Sequence, residues 1–150
     1  MKLPNGVTGF YDSDANSPPR VDGKQFKHLC FDFASRNCGK VLDFMAPQYP
    51  SNFYQAKVEI LSSRFHILLN EHYPYLAFAS VLKFRKIKFI DRPPLNERFS
   101  SFYKIMGKAE LNAPFKQRHI KDAKLNRAEL EQIAYWLPET IGQIIFNYWD

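Results

Sequence analysis

The chain has 150 residues, 45% of them hydrophobic and 16% aromatic, and a formal net charge of +6. That length suits one domain able to bury about 70% of its unfolded surface, and the composition excludes a disordered chain. No run approaches about 18 apolar residues, so no membrane-spanning helix and no membrane partner is expected.

Residues 1–21 hold Pro4, Gly6, Gly9, Pro18 and Pro19. A short edge strand is expected over Val7–Tyr11 and a loop over Asp12–Pro19. MKLPNGVTG lacks the apolar run of a signal peptide, so the expected location is the cytoplasm. Asp22 to Gly39 reads as a helix. Asp22 is a suitable N-cap with Gln25 three residues on, Phe26, Leu29, Cys30 and Phe33 form one apolar stripe, and Gly39 offers a stop. Lys40–Ala46 is expected as a strand. The loop Ala46–Asn52 contains two prolines.

Tyr54 to Asp91 carries the strongest pattern. Ala56, Val58 and Ile60 alternate with Gln55, Lys57 and Glu59, which puts one face on a core and one in water. Ser62-Ser63 marks a turn. Phe65, Ile67 and Leu69 alternate with Arg64, His66 and Asn70, so His66 belongs on a polar face. Asn70–Pro74 is a loop, Tyr75–Leu82 is apolar on both faces and reads as a central strand, and Ile87 and Phe89 alternate with Lys86 and Lys88. Four strands with short connections make an antiparallel meander.

Beyond Asp91, the spacing of Phe99, Phe102 and Tyr103 fits a short helix or turn, as does Lys108–Asn112. Pro114–Lys124 reads as a flexible basic loop. Asn126 with Glu129 is a capping-box pattern that opens a helix, whose expected core stripe is Leu130, Ile133, Ala134 and Leu137. Pro138 ends it and offers the first position of a last helix, which is apolar nearly all round and is expected to dock. The expected fold class is α+β, a single domain over residues 1–150. An antiparallel β-meander of about 4–6 strands is covered by an N-terminal helix and two C-terminal helices.

Side-chain chemistry is sparse. Cys30 and Cys38 make no disulfide framework. They stand about 12 Å apart on a helix, and Cys30 lies on the apolar stripe as a structural thiol. His28, His66, His72 and His119 form no metal-binding spacing, and neither phosphate-loop pattern occurs. No catalytic residue, metal ligand or cofactor is therefore nominated. Glu71 and His72 stand at a loop tip with Tyr73, where a small enzyme with acid–base groups is one alternative and an interface or a structural role is another. Charge is uneven. Lys83 to Arg127 holds 13 Lys/Arg against 4 Asp/Glu, a surplus of nine, while the remainder is net negative by three. Such a segment marks either an anionic partner or a solvated face. KFRKIKF interleaves bases with aromatics, which keeps a nucleic-acid-binding module over residues 83–127 as an alternative, although the alternation assigns Phe89 to the core.

NEHYPYLAFAS with IKFID, the C-terminal YWLPETIGQIIFNYWD, and the stretches LPNGVTGFYD and PQYPSNFY together resemble immunity proteins of bacterial LXG-type polymorphic toxin systems. The resemblance implies a non-enzymatic antitoxin, a monomer or small homo-oligomer, that binds a cognate toxin domain in the cytoplasm and covers its active site. The contact surface expected on that reading is Glu71, His72, Tyr73 and Tyr75 together with Lys83, Arg85, Lys86, Lys88 and Arg92. It would meet an acidic toxin surface, or else the contact would lie on the net-negative remainder.

Overall fold

The structure, a computed structural model, describes residues 2–12, 17–91 and 97–150. The alternating segments form a five-strand antiparallel meander in chain order: β1 Gly39–Met45, β2 Phe53–Ile60, β3 Ser63–Asn70, β4 Tyr75–Lys83 and β5 Lys86–Ile90. A short strand, β6 Lys104–Ile105, pairs in parallel with the start of β4. The helices are α1 Gly23–Arg36, α2 Glu97–Ser100, α3 Lys108–Leu111, α4 Gln117–Asp122, α5 Arg127–Trp136 and α6 Ile141–Ile145. The fold is α+β.

Strand periodicity sorts the core into two layers. Ala56, Val58 and Ile60 of β2, Phe65, Ile67 and Leu69 of β3, and Leu76 and Phe78 of β4 meet the α1 stripe Phe26, Leu29, Cys30 and Phe33 on one face. Phe99 and Tyr103 complete that layer. Burying side chains of this size is worth roughly 1.5–3 kcal/mol each. Phe53, Leu68, Ala77, Ala79 and Phe89 point the other way and meet Ile133, Ile141, Ile144, Ile145, Phe146 and Trp149, with Leu3 and Val7 from the N-terminal segment. The N-terminal helix thus covers one face and the C-terminal helices the other.

Asp22 caps α1, its Oδ1 accepting the Gln25 N–H at 3.1 Å. Asp22→Ala is expected to cost about 1 kcal/mol, read as a lowered urea midpoint. The helix stops at Arg36 rather than at Gly39. Asn37 bonds back to Phe33 and Ala34, and Cys38 turns the chain at φ 56°. Gly39 instead opens β1, where a Cβ would lie 2.2 Å from the Glu59 carbonyl oxygen.

Several expectations are corrected. Val7–Tyr11 is not a strand, because its backbone groups are spent on turns and on side chains elsewhere in the fold. The β2–β3 turn is Leu61-Ser62, one residue earlier than Ser62-Ser63. Pro114–Lys124 contains a helix, α4, with Phe115 and Ala123 packed on the core beside it. Pro138 does not start the last helix. Thr140 is the N-cap of α6, which ends at Ile145, and Phe146 to Trp149 follow without regular secondary structure yet remain largely buried. His66 is half-buried rather than a satisfied surface histidine, and its Nδ1 has no hydrogen-bond partner among the described residues. Burial, then the Lys57 charge, lowers its pKa below the ordinary 6.5. An unfolded chain therefore binds this proton more tightly, so stability holds above about 6.5 and falls as pH drops below it. Urea titrations between about pH 7 and about pH 5 should show a smaller loss for His66→Gln than for wild type.

The largest correction concerns α5. Of its expected core stripe, Ile133 is buried but Leu130 and Ala134 are exposed, and Leu137 is 74% exposed. The residues turned inward are Ile133 and the charged Glu129, which is 0% exposed.

Candidate functional site

Residues singled out by sequence fall at opposite ends of the sheet. Glu71, His72, Tyr73 and Tyr75 lie at the β3–β4 loop, and Lys83, Arg85, Lys86 and Lys88 lie at and beyond the far end of β4. Nine residues of β4 separate the two groups by roughly 26 Å. Arg92 lies outside the described residues.

The β3–β4 loop is built into a polar knot. Asn70 spends all four hydrogen-bonding positions: Nδ2 donates to the Val7 and Ile145 carbonyls at 2.9 and 2.8 Å, and Oδ1 accepts the N–H groups of His72 and Tyr73. Asn52 donates to Val7, Thr8 and Ile145 carbonyls and accepts the Asn147 N–H. The Tyr73 hydroxyl donates to the Asn5 carbonyl, and its ring stacks on Tyr75 with centroids 6.0 Å apart. His72 is buried, its Nδ1 lying 2.8 Å from the Pro19 carbonyl oxygen. A carbonyl only accepts, so Nδ1 carries the hydrogen. Nε2 lies 3.5 Å from Glu71, whose carboxylate also faces Arg20 at 3.6 Å. Most of this loop's polar atoms are committed to holding the N-terminal segment and the chain's last turn together.

The other end has the opposite character. The β2–β3 and β4–β5 turns point the same way, because β2 and β4 run parallel to one another. Two strand spacings, about 10 Å, separate the hairpins they close. Among the described residues, the non-glycine residues at positive φ are Cys38, Leu61, Ser62, Arg85 and Leu137. Cys38 precedes β1 beside the end of β2, Leu61 and Ser62 close β2–β3, Arg85 closes β4–β5, and Leu137 caps α5 next to Trp136, on which Arg85 lies. All five therefore gather at one end. A side chain in this region costs about 1–2 kcal/mol where glycine would cost little. Strained backbone gathered at one place is a pointer to function.

Large apolar side chains are exposed at the same end: Leu61 at 79%, Phe84 at 61%, Tyr135 at 76% and Leu137 at 74%. Their neighbours are cationic. Lys83 and Lys86 are direct cross-strand partners, an unfavourable like-charge pair. Lys83, Arg85, Lys86 and Lys88 are all exposed, and none forms an ion pair among the described residues. Arg85 lies over Trp136 at 4.4 Å and over Phe84 at 5.1 Å, while Phe84 packs on Tyr148 at 5.2 Å.

Beneath this turn lies a groove of about 330 Å³ between β5 and the C-terminal segment. Phe89, Trp136, Phe146, Tyr148 and Trp149 line it, Arg85 and Lys86 stand over it, and its lining contains no carboxylate. Gly142 keeps the groove's wall closed, since a Cβ there would lie 2.6 Å from the Phe89 ring.

Arg85, Lys86 and their neighbours were visible in sequence as charge. Phe84, Trp136, Tyr135, Leu137 and Leu61 were missed as site residues. For Leu137 the available signal was its position beside Pro138, past the last turn of α5, where a core-facing role is hard to sustain. Among the described residues, no group of three or more His, Cys, Asp or Glu is placed to hold a metal ion, and no helix is long and apolar enough to cross a membrane. Comparison with protein-family models, with curated proteins and with solved structures finds no match.

Proposed function

We propose that the protein is a non-enzymatic binding module that neutralises a cognate toxin domain by forming a cytoplasmic complex with it, through the turn end of the sheet. The observation that carries this reading is the convergence there of strained turns, exposed Leu61, Phe84, Tyr135 and Leu137, and four cations that form no ion pair among the described residues. Tyr, Trp and Arg anchors beside exposed apolar surface are the composition of protein interfaces. The resemblance of the sequence to immunity proteins of bacterial polymorphic toxin systems supplies the kind of partner.

A second reading, nucleic-acid binding, is favoured by the cations around exposed Phe84. The aliphatic side chains Leu61 and Leu137 weigh against it. They gain nothing from phosphates or base faces, whereas burying them drives protein association.

The test is to look for a toxin domain in the neighbouring reading frame, whose absence would count against the reading, and to co-express it with this protein, with growth as readout and a one-to-one complex as the physical correlate. Protection by wild type and its loss in a Leu61→Asp/Phe84→Asp variant that still folds are expected. Continued toxicity in the presence of the wild-type protein would sink the reading.

A further inference from the structure

Resting on the protein-binding reading, we propose that the groove under the β4–β5 turn seats an acidic segment of the partner protein. One apolar side chain of that segment enters among Phe89, Phe146 and Tyr148, and its flanking carboxylates meet Arg85, Lys83 and Lys86.

Arg85 is the centre of the argument. Its guanidinium carbon lies 4.4 Å from the Trp136 ring centroid and 5.1 Å from that of Phe84. Contact of a guanidinium with a ring consumes none of its five N–H donors. No acceptor takes those donors among the described residues. A planar guanidinium kept beside two rings with its donors unused matches a carboxylate in two-point contact. The backbone is held at φ 62° to place it, where a glycine or asparagine would sit without strain.

The neighbouring charges have the same complement. Lys83 and Lys86 oppose one another across the turn, and an anion between them converts repulsion into attraction. The groove between them and the C-terminal segment is large enough, at about 330 Å³, for a bulky side chain, and its walls are aromatic with Asn112 and Gln143 at the rim.

A nucleic acid fits less well. The groove's rings are already engaged: Trp136 lies under Arg85, Tyr148 packs on Phe53 and Phe84, and Phe146 packs on Phe53 and Phe89. They form walls for a side chain and not a platform for successive bases.

The experiment uses the full chain and a fluorescein-labelled peptide carrying one Phe flanked by Glu on both sides. A Gln-flanked version and an oligothymidylate serve as competitors, and backbone amide shifts map the contact. The acidic peptide should bind with shifts confined to residues 83–89 and 136–149, and the Gln version should bind about tenfold more weakly. Arg85→Glu and Lys86→Glu should each reduce binding at least about tenfold, and Lys40→Glu on β1 should leave it unchanged. Preference for the oligothymidylate, a footprint on residues 71–75, a self-association that the peptide does not displace, or indifference to Arg85→Glu would each overturn the proposal. The two readings fail separately. Toxin protection without binding of the acidic peptide removes only the groove site. Peptide binding at the groove without protection removes only the toxin-neutralising function.

Discussion

Glu129→Ala is expected to destabilise the protein by about 4 kcal/mol, lowering the thermal midpoint by roughly 10 °C. Glu129 is buried, it forms no ion pair among the described residues, and its two oxygens are surrounded by donors. Oε1 accepts the Gly6 N–H at 2.6 Å and both donors of Asn126, while Oε2 accepts the Thr8 N–H at 2.9 Å and the Thr8 hydroxyl at 2.6 Å. Removing the carboxylate strands at least three buried donors of the N-terminal turn, each costing about 1–3 kcal/mol. Glu129→Gln should recover little of the loss, because both oxygen positions face donors and one would become an NH₂ group. Urea unfolding followed by far-UV circular dichroism measures both variants. A loss under about 1 kcal/mol for Glu129→Ala would show that the turn is held by its apolar contacts alone.

Asn70→Asp should cost a similar amount, about 3–5 kcal/mol at neutral pH, through a different failure. The substituted side chain still accepts from His72 and Tyr73. Its second oxygen, however, is placed 2.9 and 2.8 Å from the carbonyl oxygens of Val7 and Ile145. Two acceptors then face an anion in a site with 0% exposure. Protonating the new carboxyl restores one donor. The pKa of such a group is raised in the fold, so the stability it withholds returns as pH falls. The deficit relative to wild type should therefore narrow between about pH 7 and about pH 4. A deficit that stays constant with pH would mean that the carbonyls had moved away.

The parts of this architecture that depend on near neighbours could be read from sequence. The α1 stripe, its Asp22 cap, the meander and the Asn126–Glu129 box each involve residues a few positions apart. What could not be read depends on distant ones. The α5 helix offers two faces of comparable hydrophobicity, and the deciding contact is Glu129 with Gly6 and Thr8, more than 120 residues away. Periodicity therefore placed Ile133 in the core correctly but wrongly put Leu130, Ala134 and Leu137 there with it. The β3–β4 loop drew attention because it is polar, aromatic and at a strand end, but those side chains are consumed in joining three segments of chain. The turn end is the reverse case. Leu61-Ser62 and Phe84-Arg85 contain none of the Gly, Asn or Asp that announces a tight hairpin, so neither their positive φ angles nor their exposed apolar side chains had a local signal.

The polar knot also dictates an order of assembly. Its members are residues 5–10, 52, 70–73, 126–129 and 144–147, so it closes only when residues 5–10 and 126–147 have reached the same place. The α1 face of the meander can form from contacts within residues 22–90, but the face made by Leu68, Ala77, Ala79 and Phe89 waits for Ile141 to Trp149. During synthesis that face stays wet until residues 141–149 emerge, and closing so long a loop is slow. Among the described residues, the local hydrogen bonds of the N-terminal turn are few: Val7 to Pro4, Gly9 to Gly6 and Phe10 to the Thr8 hydroxyl. Its contacts with the Glu129 carboxylate at the head of α5 are what latch it to the rest of the molecule.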